Sequence, residues 1–194
     1  MDPWLGVDVG GERKGFDVAL INGRRLLALE SRLDRTSVAE LVDRARPAVV
    51  AIDGPRCCAQ PGRTSRDCER ELVRSICGIR WTPDELTVHG SEHYAWVVQG
   101  LALFEALAGG AEEVIEVFPT ASWTRWLGKR GSRARAAWTR DGLSALGLGG
   151  LPRRTNQDQR DAIAAAVTAR LHDRGLTEAI GEIVVPLCDQ DAVR

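Results

Sequence analysis

Two apolar runs on either side of Asn22-Gly23 constrain the fold of this chain more than any other feature. Phe16 to Ile21 and Leu26 to Glu30 each have the length of a β-strand. Asn-Gly between such runs is typical of a two-residue hairpin turn. A shorter apolar run, Leu5 to Val9, precedes them and ends at the turn-forming pair Gly10-Gly11. The sequence therefore predicts three strands joined by hairpins before any helix begins.

Helices and single strands alternate in the rest of the chain. Apolar residues at helical spacing predict a first helix that begins near Ser37 and ends at Pro47. Ala48 to Ile52 is a continuous apolar run, which is typical of a central strand buried on both faces. Glu113 to Phe118 predicts another strand, and Gln157 to Arg174 predicts a long closing helix. This order predicts an α/β fold with a mixed sheet and helices packed on it.

The composition fits one domain over residues 1–194. The chain is 44% hydrophobic and 27% charged, which is ordinary for a globular protein. It has no run of about 18 apolar residues, so we expect no transmembrane helix and no membrane partner. Residues 1–4 lack the basic and apolar segments of a secretory signal. The five cysteines show no disulfide framework, and we expect a protein of the reducing cytoplasm.

Two aspartates stand at the ends of predicted strands. Asp8 lies inside the first apolar run, where a buried carboxylate needs a hydrogen bond, an ion pair or a metal. Asp53 follows the central strand, and sites in open α/β sheets gather outside such strand ends. The alternative is that each carboxylate accepts hydrogen bonds from the turn that follows it.

Three further acids are candidates for the same site. Glu116 lies in the middle of a predicted strand, and it could also face solvent from an edge strand. Asp158 and Asp161 are three residues apart at the start of the last helix and so share a face, although Asp158 also fits a role near the helix N-terminus. Hydrolysis of phosphodiesters with two metal ions needs several carboxylates that converge on a pair of Mg²⁺ ions.

Short motifs around these acids resemble the DUF429 family, a group of predicted nucleases of ribonuclease H-like fold. The resemblance extends from about residue 4 to about residue 170. The closing Asp-x-x-Asp-Ala pattern is also similar to that of Holliday-junction resolvases of the same superfamily. The family often has two adjacent acids at the start of the last motif, where this chain has Gln157 as the first. The motifs are Gly6-Val7-Asp8, Ala51-Ile52-Asp53-Gly54-Pro55, Arg66-Asp67-Cys68-Glu69-Arg70, Glu116-Val117-Phe118-Pro119 and Asp158-Gln159-Arg160-Asp161-Ala162.

The resemblance implies a ribonuclease H-like, three-layer α/β domain with helices on both faces of a mixed sheet. It implies a nuclease that uses Mg²⁺ or Mn²⁺ and binds a nucleic acid. Its metal ligands would be Asp8 and Asp53 together with Asp161 or Asp158, and Glu116 would be a further catalytic residue. Two alternatives remain open. The chain could be a phosphotransferase related to actin-like kinases, because Asp8-Val9-Gly10-Gly11 resembles their phosphate loop, or a binding domain that has lost its catalytic residues.

Basic side chains could bind the phosphates of a substrate, although the net charge of the chain is only -1. Arg66, Arg70 and Arg74 recur every four residues, which is typical either of one basic stripe on a helix or of a set of surface ion pairs. Between residues 119 and 160 there are nine bases, Lys129 among them, against two acids. We expect Arg66, Arg70 and Lys129 to contact substrate. Three tryptophans in the second basic region could stack on bases, but their spacing favours the core. They are Trp123, Trp126 and Trp138.

Overall fold

The computed structural model defines residues 3–187 of the chain. The strands are β1 (Trp4–Val9), β2 (Phe16–Asn22), β3 (Arg25–Leu33), β4 (Val49–Asp53), β5 (Glu113–Val117), β6 (Thr177–Ile180) and β7 (Ile183–Pro186). The helices are α1 (Arg35–Ala45), α2 (Asp67–Ser75), α3 (Glu85–His89), α4 (Ala95–Leu107), α5 (Pro119–Leu127), α6 (Arg135–Ala145) and α7 (Gln157–Asp173). A 3₁₀ helix over Glu92–Tyr94 precedes α4.

The strands form one mixed sheet in the order β3-β2-β1-β4-β5-β7-β6. β1, β2 and β3 pair antiparallel, as the hairpin signals predict. β1, β4, β5 and β7 pair parallel, and β6 returns antiparallel to β7. β4 lies in the middle of the sheet, which explains why its sequence is continuously apolar. The predicted mixed α/β sheet is therefore confirmed.

Helices cover both faces of this sheet and bury a separate core on each side. Alternate residues of β1 divide between the two cores: Trp4 faces the side of α7, whereas Leu5 and Val7 face the side of α1 and α4. The strand β4 divides in the same way. The result is the three-layer arrangement that the sequence predicts.

Gly6 allows α7 to lie directly against the middle of the sheet. A Cβ atom at Gly6 would lie 2.1 Å from the backbone nitrogen of Ala166 and 2.2 Å from the carbonyl oxygen of Ala162. Buried alanines line this side of the helix. Because both surfaces lack large side chains, the backbone of α7 touches the strand, and the first turn of α7 is held close to the C-terminal end of β1.

Two elements differ from the sequence prediction. After the predicted strand Glu113 to Phe118, Pro119 begins the helix α5, a position where its fixed φ and missing N–H suit a helix. The short strand β6 lacks the apolar run that would have revealed it. Four cysteines have free thiols, namely Cys57, Cys58, Cys68 and Cys77, whereas Cys188 lies outside the described residues.

Candidate metal centre

A cleft of about 740 Å³ opens at the C-terminal ends of the parallel strands β1, β4 and β5. Its wall on the α7 side carries four aspartates that the sequence predicts as metal ligands. Glu116 and Arg66 contribute to the opposite wall. The cleft thus brings all five predicted acids together, with Glu116 on the wall opposite the aspartates. The four aspartates are Asp8, Asp53, Asp158 and Asp161.

Asp8 is nine-tenths buried at the bottom of the cleft. Strand alternation places it on the same face as Trp4 and Gly6, toward α7. Within residues 3–187, no N–H group donates a hydrogen bond to the Asp8 carboxylate, and Asp53 is its partner in the neighbouring parallel strand. Burial, followed by the negative charges of Asp161 and Asp158, raises the pKa of Asp8 from 3.8 to about 7. Such a carboxylate lacks the compensating donors that usually accompany a buried charge.

Asp53 is the partner of Asp8 in the neighbouring parallel strand, since their Cα atoms are paired in register. Burial raises the pKa of the Asp53 carboxyl group, and the charges of Asp8 and Asp161 add to this effect. Two adjacent strands therefore present two carboxyl groups side by side.

Asp17 is a fifth aspartate of this group that the sequence reasoning did not identify. It lies opposite Asp8 in the antiparallel pairing of β1 with β2. Oxygen atoms of Asp8, Asp17 and Asp158 all lie within 4.8 Å of one another. The hydroxyl group of Ser31 donates a hydrogen bond to Asp17. The available signal was an acid between Phe16 and Val18, the same anomaly that singled out Asp8.

Asp158 approaches the cluster from the first turn of α7. The cap of this helix is Asn156, whose side chain accepts a hydrogen bond from the backbone of Gln159, so Asp158 is not needed as a cap. An oxygen of Asp158 lies 2.7 Å from the Nζ atom of Lys14, in the turn between β1 and β2. Burial lowers the pKa of Lys14, but its hydrogen bond to Asp158 and the nearby carboxylates outweigh this effect and raise it overall.

Asp161 differs from the other aspartates because protein donors surround its carboxylate. Trp123 donates through Nε1 at 3.0 Å, and Arg135 through Nη2 at 2.8 Å. The side-chain amide of Gln157 donates to both oxygens, at 3.1 and 3.0 Å. Burial raises the pKa of Asp161 even though Arg135, Gln157 and Trp123 each lower it. These four contacts match the roughly four acceptor positions of a carboxylate.

Glu116 lies on the opposite side of the sheet from the aspartates. Its neighbours in β5, Ile115 and Val117, face the α7 core, so strand alternation turns Glu116 away from it. Arg66 binds both of its oxygens, with Nη1 at 2.8 Å from Oε2 and Nη2 at 2.5 Å from Oε1. The backbone N–H of Arg56 donates to Oε2 at 2.9 Å. Glu116 and Arg66 are both buried, and they form an ion pair with each other.

The predicted substrate-binding residues are scattered. Arg66 is buried in its pair with Glu116 and also binds Glu69. Arg70 bonds to Ser65 and Asp67 and lines a smaller cavity on the surface. Lys129 is exposed and does not line the cleft. The bases that do line it, besides Arg66, are Lys14, Arg80, Arg130 and Arg135.

The three tryptophans of the basic region are buried, as their spacing favours. Trp123 and Trp126 pack edge to face, with ring centroids 5.3 Å apart. Trp123 also supports Asp161 through its indole nitrogen. They form part of the core on the α7 side and are not an exposed stacking surface.

A family described as "Protein of unknown function (DUF429)" matches residues 6–183. This chain belongs to the DUF429 family. Thermus thermophilus RuvC is among the solved structures that resemble this chain. It is 18% identical with a TM-score of 0.50, and the match covers 89% of this chain and 96% of that chain. T. thermophilus RuvC in complex with a Holliday junction substrate is 17% identical with a TM-score of 0.50, over 90% and 96% of the two chains. No curated protein sequence matches.

These comparisons confirm the resemblance to DUF429 and the ribonuclease H-like fold. This chain shares the fold of RuvC over nearly its whole length. Within residues 3–187, no helix is long and apolar enough to cross a membrane.

The residues of the cleft fit a divalent cation. Ligand oxygens on one Mg²⁺ lie at most about 4.2 Å apart, because each metal–oxygen bond is about 2.1 Å long. The oxygens of Asp8, Asp17 and Asp158 lie within 4.8 Å, so a small side-chain adjustment would bring them onto one ion. Hard cations prefer such carboxylate oxygens, and Asp8 lacks other donors. The chemistry of the donor set is therefore compatible with a divalent cation.

Proposed function

We propose that this protein is a nuclease that hydrolyses phosphodiester bonds of a nucleic acid with the help of Mg²⁺ or Mn²⁺. The observation that carries the proposal is the convergence of Asp8, Asp17 and Asp158, with Asp53 beside Asp8 in the neighbouring strand. A carboxylate as buried as Asp8 and without N–H donors is costly to ionise, and a bound cation would compensate this cost. The ribonuclease H-like fold and the similarity to RuvC, which was solved with a Holliday junction, support a nucleic-acid substrate.

In this proposal Asp8, Asp53 and Asp158 hold the cations, and Asp17 adds a ligand that the sequence motifs do not include. When bound, a pair of divalent cations activates the attacking water and stabilises the leaving oxygen. Asp161 is also a proposed ligand and catalytic residue. Arg135 and Gln157 now fill its acceptor positions, so Asp161 reaches a cation only where the half-exposed guanidinium of Arg135 turns to a phosphate in the cleft.

The basic residues at the mouth of the cleft would bind the substrate backbone. Arg130 and Arg135 are exposed and line the cleft, so their guanidinium groups can reach phosphate oxygens. Arg70 and Lys129 lie outside this lining and would contact only a substrate that extends beyond the cleft. In this proposal Arg66 and Glu116 support the wall, because each satisfies the other.

The test is cleavage of labelled nucleic acids by the purified protein. Single-stranded DNA, duplex DNA, a four-way junction and RNA are incubated with Mg²⁺, with Mn²⁺ or with a chelator. We expect metal-dependent cleavage of at least one substrate, and we expect Asp8→Asn and Asp53→Asn to reduce it by more than the roughly 10- to 100-fold typical of residues outside the metal's direct ligands. Asp43→Asn, an exposed acid on α1, is the matched control.

Two outcomes would contradict this proposal. One is the absence of metal-dependent cleavage of every substrate tested, and the other is full cleavage by Asp8→Asn. If ATP raised the melting temperature of a protein that cleaves nothing, the phosphotransferase alternative would be favoured. If the protein bound nucleic acid without cleaving it, the alternative of a binding domain would be favoured.

A further inference from the structure

Lys14 is held at the edge of the acidic cluster by a tightly closed turn. The backbone N–H of Gly10 donates to the carbonyl of Gly15 at 3.0 Å, and the N–H of Lys14 donates to the carbonyl of Gly11 at 2.8 Å. Gly15 has a φ of 68°, which glycine adopts without strain, and a Cβ atom at Gly10 would lie 2.4 Å from the Gly15 oxygen. The glycines therefore fix the turn from which Lys14 reaches into the cleft.

The ammonium group of Lys14 now neutralises one of the proposed metal ligands. Its Nζ atom lies 2.7 Å from Oδ1 of Asp158, and Asp158 belongs to the same oxygen cluster as Asp8 and Asp17. A divalent cation shared by these three carboxylates needs the same Asp158 group. The ammonium and a divalent cation therefore compete for Asp158.

Lys14 also has access to a substrate. Its side chain is 49% exposed and lines the cleft, whereas the Asp158 side chain is 28% exposed. The ammonium thus has a protein side, which contacts Asp158, and an open side, which faces the space where a substrate backbone would lie. Among the described bases that line this cleft, Lys14 is the one in direct contact with the Asp8–Asp17–Asp158 cluster.

We propose that Lys14 is a phosphate-binding residue of the cleft. Its ammonium group stays paired with Asp158 until a divalent cation binds the Asp158 carboxylate. The ammonium is then free to bind a phosphate of the nucleic acid beside the cluster. This inference rests on the proposed function, since it assigns a residue of the same site to substrate binding. It also makes metal binding a condition for this one phosphate contact.

The experiment compares Lys14→Gln with Arg13→Gln, which removes a neighbouring exposed cation that does not line the cleft. The first measurement is Mn²⁺ binding by calorimetry in the absence of nucleic acid. Because Lys14→Gln removes a competitor, we expect it to tighten Mn²⁺ binding by roughly two- to fivefold, the factor that corresponds to a partly exposed ion pair. We expect Arg13→Gln to bind Mn²⁺ as the wild type does.

The second measurement is the salt dependence of binding to a labelled DNA or RNA oligonucleotide, with Ca²⁺ or with a chelator. In Ca²⁺ we expect Lys14→Gln to make the negative slope of log K against log salt shallower by about one, which corresponds to the loss of one phosphate contact. In chelator we expect Lys14→Gln and the wild type to have the same slope, because the Lys14 ammonium of the wild type stays paired with Asp158. Lys14→Arg keeps the charge and should retain the wild-type slope in Ca²⁺.

The outcomes separate this inference from the proposed function. If the wild type binds Mn²⁺ and oligonucleotide but Lys14→Gln changes neither the affinity nor the slope, the role of Lys14 is refuted and the metal site stands. If Lys14→Gln makes the slope shallower by the same amount with and without Ca²⁺, then pairing with Asp158 does not keep Lys14 from phosphate, and that part of the inference is refuted. If the wild type binds no Mn²⁺, both proposals fail.

Discussion

The side-chain nitrogen of Gln157 donates to both oxygens of Asp161, at 3.1 and 3.0 Å. The oxygen of the same amide accepts from Thr139 and Arg160, so the orientation of the group is fixed from both ends. Gln157 stands where the resemblance to DUF429 predicts an acid. In this chain the position supplies a donor that holds Asp161, whereas no such donor holds Asp8 at the bottom of the cleft.

Replacing Gln157 by Glu should destabilise the protein at neutral pH. The change removes two hydrogen bonds to Asp161 and puts a second carboxylate against it. We expect the free energy of unfolding to fall by about 1–3 kcal/mol, as for a buried polar group that loses its partner. Urea denaturation in chelator measures the change, and Gln60→Glu, at an exposed loop position, is the control. A Gln157→Glu protein as stable as the wild type would show that the amide does not support Asp161.

The stability of the metal-free protein should fall as the pH rises from acid to neutral. Four aspartates of the site have a pKa raised above 3.8, and for Asp8 the pKa is about 7. Between these values the folded state binds more protons than the unfolded state, so their contribution to stability is present below 3.8 and is lost as the pH rises to about 7. Asp8→Asn should flatten this dependence and raise the melting temperature at neutral pH. The aspartates are Asp8, Asp17, Asp53 and Asp161.

Thermal melts in chelator between about pH 5 and about pH 8 test this dependence. The informative quantity is the difference between Asp8→Asn and the wild type at each pH, because it cancels the titration of groups that do not interact with Asp8. Asp43→Asn should follow the wild type. A difference that does not change with pH would mean that Asp8 titrates normally in the folded protein.

Glu116→Gln distinguishes a structural role for Glu116 from a role in metal binding. Glu116 and Arg66 form a buried ion pair, and loss of the Glu116 charge leaves Arg66 with Glu69 as its remaining carboxylate partner. We expect the free energy of unfolding to fall by about 1–3 kcal/mol, because a buried group loses one of its two charged partners, with the Mn²⁺ affinity of the folded protein unchanged. Urea denaturation and Mn²⁺ calorimetry give the two values. A loss of Mn²⁺ affinity with little loss of stability would instead support Glu116 as a site acid.

The sequence predicted which acids lie at the site better than it predicted the ion pairs and hydrogen bonds that these acids form. Asp8 and Asp53 could be predicted because an acid at the end of an apolar strand is conspicuous, and parallel strands end at the same edge of the sheet. Asp17 was missed because its role depends on the register of the first hairpin, which the turn residues did not specify. The direction of Glu116 follows from strand alternation, but only once its neighbours in β5 are known to face α7. Ion pairs such as that of Lys14 with Asp158 join residues far apart in the chain.

Gly6→Ala should disturb the site from within the core. The new methyl group would meet the backbone of α7, which cannot move as a side chain can. We expect a loss of about 1–3 kcal/mol in the free energy of unfolding, typical of overpacking, together with weaker Mn²⁺ binding. Gly78→Ala is the control, because a Cβ atom there would meet no atom within 4 Å. Unchanged Mn²⁺ affinity in Gly6→Ala would show that the cluster tolerates a shift of the helix.

The contact between Gly6 and α7 also limits how such a site can be redesigned. Three of its aspartates belong to strands and two to α7, so the gap between the two groups is set by how thin the interface of glycine and alanine is. Exchanging a carboxylate for a longer or shorter one changes the reach of one group only. A preference for a larger cation would require a thicker interface, and therefore a repacked core on the α7 side of the sheet.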